Sequence, residues 1–429
     1  MKKNSLRVVL GTILSVIIVI GTFISLNING QADTGRDVTV NNFTIGVYYD
    51  DADQAASIPD SEYTITYADA DGKSVKVAEG ETDSEGAIKN VTLPDIPTDV
   101  STIKFNYTLG NSSRGYILRS TGKKCQFTYI KAIPNNNQIN YVGNSKFGQA
   151  GNEASYQTNY ISTRINNYYV QAIQELTSAI DMAHKQFTGI STFELAPINI
   201  TYERGYHLNE SNAFYRNGHD GSGTPDIVLA DRTNLSSFTS RYLMANVMHE
   251  WTHWNLYRTA GLPSGSYTSH YSYNTDFKIS YKEGLALFAG DMFAYDYDMN
   301  ATDTEVQTDN ANNINRLYGK STNKTVEQVL YDLLDVKSTG EDEDFYITER
   351  YLDDDLTEKQ IDKINFGVIY AEMMQSKVMT LSDYLQYIQN KYVLTNSDKA
   401  KFEKVLSVNG LSSTGEFTLD ADGNALTSH

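Results

Sequence analysis

The chain has 429 residues, a net charge of −18, 40% hydrophobic and 21% charged residues, a globular rather than disordered composition with room for two or three domains. So acidic a chain is repelled by phosphate backbones, which excludes nucleic acid as an expected partner and leaves solubility as the main use of the charge. A lone cysteine, Cys125, excludes an internal disulfide.

The first element is an export signal. "MKKNSLR" is basic, and Val8 to Leu26 carries no charge, a pattern that holds its basic end inside. Two readings of residues 1–32 stay open: a signal peptide cut near the small residues ending at Ala32, or an uncleaved anchor attached to the membrane through residues 8–26. Either places residues beyond about 33 outside the cytoplasm, secreted or at the cell surface.

Residues 36–132 read as strands. "VTVNNFTIGVYY", "EYTITYADADGKSVKVAEG", "GAIKNVTL", "STIKFNYTL" and "KCQFTYIKAI" alternate apolar with polar residues. Asp71-Gly72 and the segment Asp83 to Gly86 mark turns between them. Such spacing predicts an all-β sandwich, in pattern like the Ig-like or prealbumin-like modules of bacterial surface proteins. It would serve as a substrate tether or a passive spacer. Cys125 falls in a strand-like run and reads as buried apolar filler. The 31 tyrosines suit half-buried strands and wet surfaces.

Residues 133–155 are rich in Asn, Gly and Ser and read as a linker. Beyond them, residues 156–429 read as one α+β domain, a β/α part to about 258 and a helical part over 259–429. Ser162 to Phe187 has helical periodicity, with Tyr169, Ile173, Leu176, Ile180, Ala183 and Phe187 on one face. "PINITYERG" and "DIVLADRT" read as strands, and "TVEQVLYDLLDV", "NFGVIYAEMMQSK" and "LSDYLQYIQNKY" as amphipathic helices. The acidic tract from Gly340 to Asp355 and the Asp-Gly turns offer hard oxygens. No loop has the spacing of a calcium site, so calcium is left unsupported.

"VMHEWTHWNL" (Val247 to Leu256) places two of only seven histidines four apart. Chance gives His-Glu-x-x-His in roughly one chain in a hundred of this length, so the surroundings decide. Four residues is one helical turn, so His249 and His253 can aim their imidazoles at one point. Zinc accepts such nitrogens. Glu250 points off that axis, where it can take the proton of a zinc-bound water rather than ligate the ion. A catalytic zinc needs a third protein ligand. Glu283 in "YKEGLALFAGD" opens an apolar helical run and is the candidate; the alternative for it is a helix N-terminal dipole partner. Trp251 and Trp254 read as packing behind the site. His184 reads as partly exposed near a helix end, and His207 and His219 as loop residues.

Over about residues 160 to 390 the chain resembles the gluzincin zinc peptidases, thermolysin-like enzymes nearest among them. Two motifs carry the likeness: "HEWTH" with the later "EGLA", and "NAFYRNG" (Asn212 to Gly218) before the strand "DIVLAD". The resemblance implies a zinc-dependent metalloendopeptidase acting on protein or peptide substrates. It implies that His249, His253 and Glu283 ligate the zinc and Glu250 is the general base. It also implies that Asn212 and Ala213 hold the extended substrate from an edge strand.

The chain departs from the family in two places. Leu287 stands where thermolysin-like enzymes place an aspartate that orients the first zinc histidine, which leaves Asp291, Asn246 or a backbone carbonyl for that duty. No histidine lies between Glu283 and His429 to stabilise the oxyanion. "KINFGVIY" puts Lys363 near the position of the family's histidine; Tyr346 and Tyr351 are alternatives, and His270 could line the cleft. The "EGLA" pattern is closer to the aminopeptidase branch, but the "GAMEN"-type segment of that branch is absent, which favours an endopeptidase. The competing hypothesis is a surface adhesin carrying an inactive peptidase-like domain.

Overall fold

A computed structural model describes residues 35–48, 57–119, 121–146, 153–187, 189–191, 197–201, 214–215, 226–229, 240–261, 276–294, 322–333, 356–409 and 411–416. It is mixed α+β, with a β-rich N-terminal region and a helical C-terminal part. The segment 8–26 lies outside the described residues; among these, no helix is long and apolar enough to cross a membrane.

The β-rich region forms two sheets. Strands β1 (Arg36–Tyr48), β4 (Ala87–Ile96) and β9 (Gln138–Lys146) make one, in the order β4-β1-β9. Strands β2 (Glu62–Ala68), β3 (Ser74–Glu81), β5 (Thr102–Thr108) and β8 (Gln126–Ala132) make the other, in the order β3-β2-β5-β8. The sheets meet through aromatic rings: Phe43 of β1 stacks on Phe105 of β5 with centroids 3.8 Å apart. In β1 the buried residues switch from Val38 and Val40 to Phe43 and Ile45. A register shift against β9 between Val40 and Asn42 accounts for the switch, because one extra residue exchanges the faces of a strand. Both expected turns form: Gly72 N–H donates to Asp69 O, and Gly86 N–H donates to Asp83 O. Cys125 is buried in the core.

Two boundaries differ from the sequence reading. The expected linker 133–155 contains β9, which pairs in parallel with β1 along nearly its full length. Its Asn and Gly content disfavours strand, yet the partner β1 supplies the ladder that composition does not. Secondly, the β-rich region does not end at 132 as a separate module. The hairpin β6 (Gly110–Asn111) and β7 (Gly115–Leu118) enters a third sheet with β10 (Ile200–Thr201), β11 (Phe214–Tyr215) and β12 (Ile227–Val228), in the order β11-β12-β10-β7-β6. The β7–β10 pairing is parallel. Side chains reinforce it: Tyr116 N–H donates to Asn199 Oδ1 at 3.0 Å, and Thr201 Oγ1 donates to Leu118 O at 2.9 Å.

Seven helices follow among the described residues: α1 (Glu153–Gln186), α2 (Ser240–Ala260), α3 (Phe277–Ala294), α4 (Thr322–Asp332), α5 (Glu358–Ser376), α6 (Leu381–Tyr392) and α7 (Asn396–Val408). Helix α1 buries the predicted face, Tyr169, Ile173, Leu176, Ile180 and Ala183, and Phe187, one residue past its end, is buried with them. It is also tied to the β-rich region, since Asn166 Nδ2 donates to Pro59 O and Tyr169 Oη donates to Arg114 O. Helix α5 begins in a capping box between Thr357 and Gln360, which satisfies two orphan donors of the first turn. Buried Glu372 locks α5 to α6: Tyr387 and Tyr392 donate hydroxyls to it at 2.5 and 2.6 Å, and Lys391 donates its amine.

Candidate metal centre

Helix α2 carries the two histidines. Its far side is anchored in the core: Trp251 is fully buried and meets Tyr169 of α1 edge-on, with ring centroids 6.1 Å apart. Both tryptophans pack in the core, as expected from sequence. Asn255 Nδ2 donates to Tyr370 Oη of α5 at 3.2 Å, and Tyr370 Oη donates to Thr252 at 3.5 Å. Burial pushes the Tyr370 hydroxyl up to about 12, so it stays a neutral donor. These contacts fix the rotation of α2 and so the direction in which His249 and His253 point.

Glu283 comes from α3. The helix starts at Phe277, six residues before Glu283, so this carboxylate does not sit in the first turn and the dipole reading fails. Two glycines let the neighbouring helices approach it. A Cβ on Gly284 would lie 2.4 Å from Val326 Cβ and 2.6 Å from Asn323 O of α4. A Cβ on Gly290 would lie 2.8 Å from Ala245 O of α2 and 3.5 Å from His249 Cβ. The Glu-Gly pair thus reflects packing as well as chemistry.

The result is a cluster of three ligand atoms among the described residues, from His249, His253 and Glu283. The two Nε2 atoms stand 3.2 Å apart. Glu283 Oε2 is 3.2 Å from Nε2 of His253 and 3.7 Å from Nε2 of His249. Tetrahedral zinc with bonds of about 2.0–2.1 Å separates its ligand atoms by about 3.3 Å. The three observed separations therefore admit a common point about 2 Å from every ligand atom. The donors, two imidazole nitrogens and a carboxylate oxygen, are those zinc accepts, so the residues fit the ion. Burial alone would raise the Glu283 carboxyl; the neighbouring His253 charge, hydrogen bonds from both imidazoles and the His249 charge reverse this and hold it well below the ordinary carboxylate range. The carboxylate is therefore ionised at neutral pH.

Glu250 follows His249 on α2 and is only 5% exposed. Asp291 is half-buried on α3, next to the Gly290 contact with His249. The Nδ1 atom of His253 is buried and has no hydrogen-bond partner among the described residues, whereas a metal-bound imidazole usually donates its second N–H. Lys363 lies on α5 with its amine bound to Glu175 of α1, an ion pair invisible in sequence. Phe214–Tyr215 of the "NAFYRNG" segment forms β11, which stands at one edge of the third sheet among the described residues, antiparallel to β12. Asn212, Ala213, His270, Tyr346, Tyr351 and the acidic tract 340–355 lie outside the described residues. Sequence reasoning passed over Lys282, buried with its amine 3.1 Å from Glu283 Oε1. A lysine beside a glutamate in sequence reads as a solvated pair, and nothing in the pattern marks it otherwise.

No protein-family model matches the chain, and no curated protein matches it. Among solved structures, a 9R-lipoxygenase from Cyanothece PCC8801 aligns at 11% identity over 37% of this chain, with a TM-score of 0.16. The chain spans 28% of that structure's length, and at so low a score the likeness carries no argument about fold or function.

Proposed function

We propose that this chain is an exported zinc-dependent metalloendopeptidase. The finer architecture we propose with it is an Ig-like or prealbumin-like β module joined to a thermolysin-like catalytic part. The reading rests above all on one observation: a carboxylate oxygen thirty residues downstream, on a different helix, lies 3.2 and 3.7 Å from the two histidine nitrogens.

His249, His253 and Glu283 would hold the ion. When bound, zinc lowers the pKa of a water towards 7 and polarises the substrate carbonyl. Glu250 takes the proton from the attacking water and returns it to the leaving amine. The buried setting of Glu250 and Glu283 keeps bulk water from screening these charges. The edge strand β11 offers a backbone along which an extended peptide would pair.

A second reading, a surface adhesin with an inactive peptidase-like domain, draws on His253 Nδ1, which has no partner among the described residues, and on the engagement of Lys363 by Glu175. Metal analysis with a peptide-library assay separates the two. We expect stoichiometric zinc and cleavage in the wild type. Glu250→Gln keeps the zinc and loses about 10²–10⁴-fold in rate. Full activity of that variant would refute the mechanism, and zinc binding without cleavage in the wild type would favour the adhesin.

A further inference from the structure

The two oxygens of Glu283 face different partners. Oε2 points at both imidazoles, while Oε1 lies 3.1 Å from the Lys282 amine. Lys282 is 8% exposed, so its cation is sheltered with the carboxylate rather than dissolved in water. A carboxylate can ligate zinc through one oxygen or two. With two it fills a position that water or substrate needs, since a catalytic zinc keeps one site open beside three protein ligands.

We propose that Lys282 is a positioning residue that occupies Oε1 and so holds Glu283 to a one-oxygen ligand. This rests on the reading that the cluster binds a divalent metal. The ammonium and the metal compete for the same carboxylate, and the ion pair leaves only Oε2 turned to the imidazoles. Without Lys282, Oε1 is free to swing to the metal and close the open position. Activity then suffers although the three ligands and the general base are untouched. The loss expected for such an outer partner is about 10–100-fold in turnover, with metal content unchanged.

The test uses the full chain loaded with cobalt(II), whose visible absorption weakens when four-coordinate geometry becomes five-coordinate. Wild type, Lys282→Met and Lys282→Arg are compared, with folding followed by circular dichroism. We expect a strong band in the wild type, a weakened band in Lys282→Met at equal cobalt content, and recovery in Lys282→Arg. An unchanged band in a folded Lys282→Met overturns the inference while leaving the metal reading intact. A wild type that takes up no cobalt overturns both. X-ray absorption on the zinc-loaded wild type needs no variant: four light-atom neighbours support the one-oxygen ligand, and a bidentate carboxylate pattern refutes it.

Discussion

Replacing Gly284 by alanine probes the packing that places Glu283 beside the two histidines. The added methyl would stand 2.4 Å from Val326 Cβ and 2.6 Å from Asn323 O, whereas carbons rest about 3.5–4.0 Å apart. Helices α3 and α4 must therefore part by about 1 Å. One obstructing atom is a backbone carbonyl, which cannot rotate away. Overpacking of this kind costs about 1–3 kcal/mol, and this geometry belongs at the upper end. Alanine returns about 1 kcal/mol in helix propensity. The net loss expected is about 2 kcal/mol, read from urea unfolding of the metal-free protein. Metal sites tolerate only about 0.2 Å of ligand displacement, and Glu283 is the adjacent residue. Zinc affinity, measured by chelator competition, should fall at least about tenfold. If Gly284→Ala proved as stable as the wild type with unaltered affinity, the close approach of α3 and α4 would be wrong.

Three further outcomes follow from the same contacts. Tyr370→Phe leaves the buried Asn255 amide without its acceptor and should cost about 1–3 kcal/mol; an unchanged melting curve would show that this bond does not hold α2. Glu372→Gln removes the charge facing Lys391, which is one-third exposed and partly shielded by water, so we expect a loss of about 1–3 kcal/mol by denaturant titration, and no loss would disprove the lock between α5 and α6. The Glu283 carboxyl is held below its ordinary 4.5, so its stabilisation is complete above that pH and drains away as pH falls through the depressed value. The metal-free wild type should thus weaken with acid more steeply than Glu283→Gln, and parallel acid limbs in the two proteins would argue against it.

The order of strands before helices was legible because alternation and turn residues act locally, as at Asp71-Gly72 and Asp83 to Gly86. The histidine pair was legible because one helical turn fixes two side chains without help from the rest of the fold. What escaped was set by partners distant in sequence. Strand β9 contains Gln138, Asn140, Gly143 and Asn144, residues that read as loop until β1 supplies the ladder. Hairpin β6–β7 passes through "GNSSRG", where turn composition hides two short strands whose neighbour β10 lies some eighty residues on. Lys363 looked available because its partner Glu175 stands 188 residues away. Lys282 escaped because burial, not residue type, gives it consequence.

The parallel pairing of β7 with β10 also bears on how the molecule can be divided. Deleting the first 132 residues would not shed a detachable appendage. It would strip the strand beside Ile200 and Thr201 and expose their unpaired backbone. It would also deprive α1, which packs on α2 through Tyr169 and Trp251, of its holds on Pro59 and Arg114. Whatever chemistry the histidine pair performs therefore leans on residues far upstream, and a fragment trimmed to the motif-bearing half should aggregate or lose metal rather than behave as a minimal enzyme.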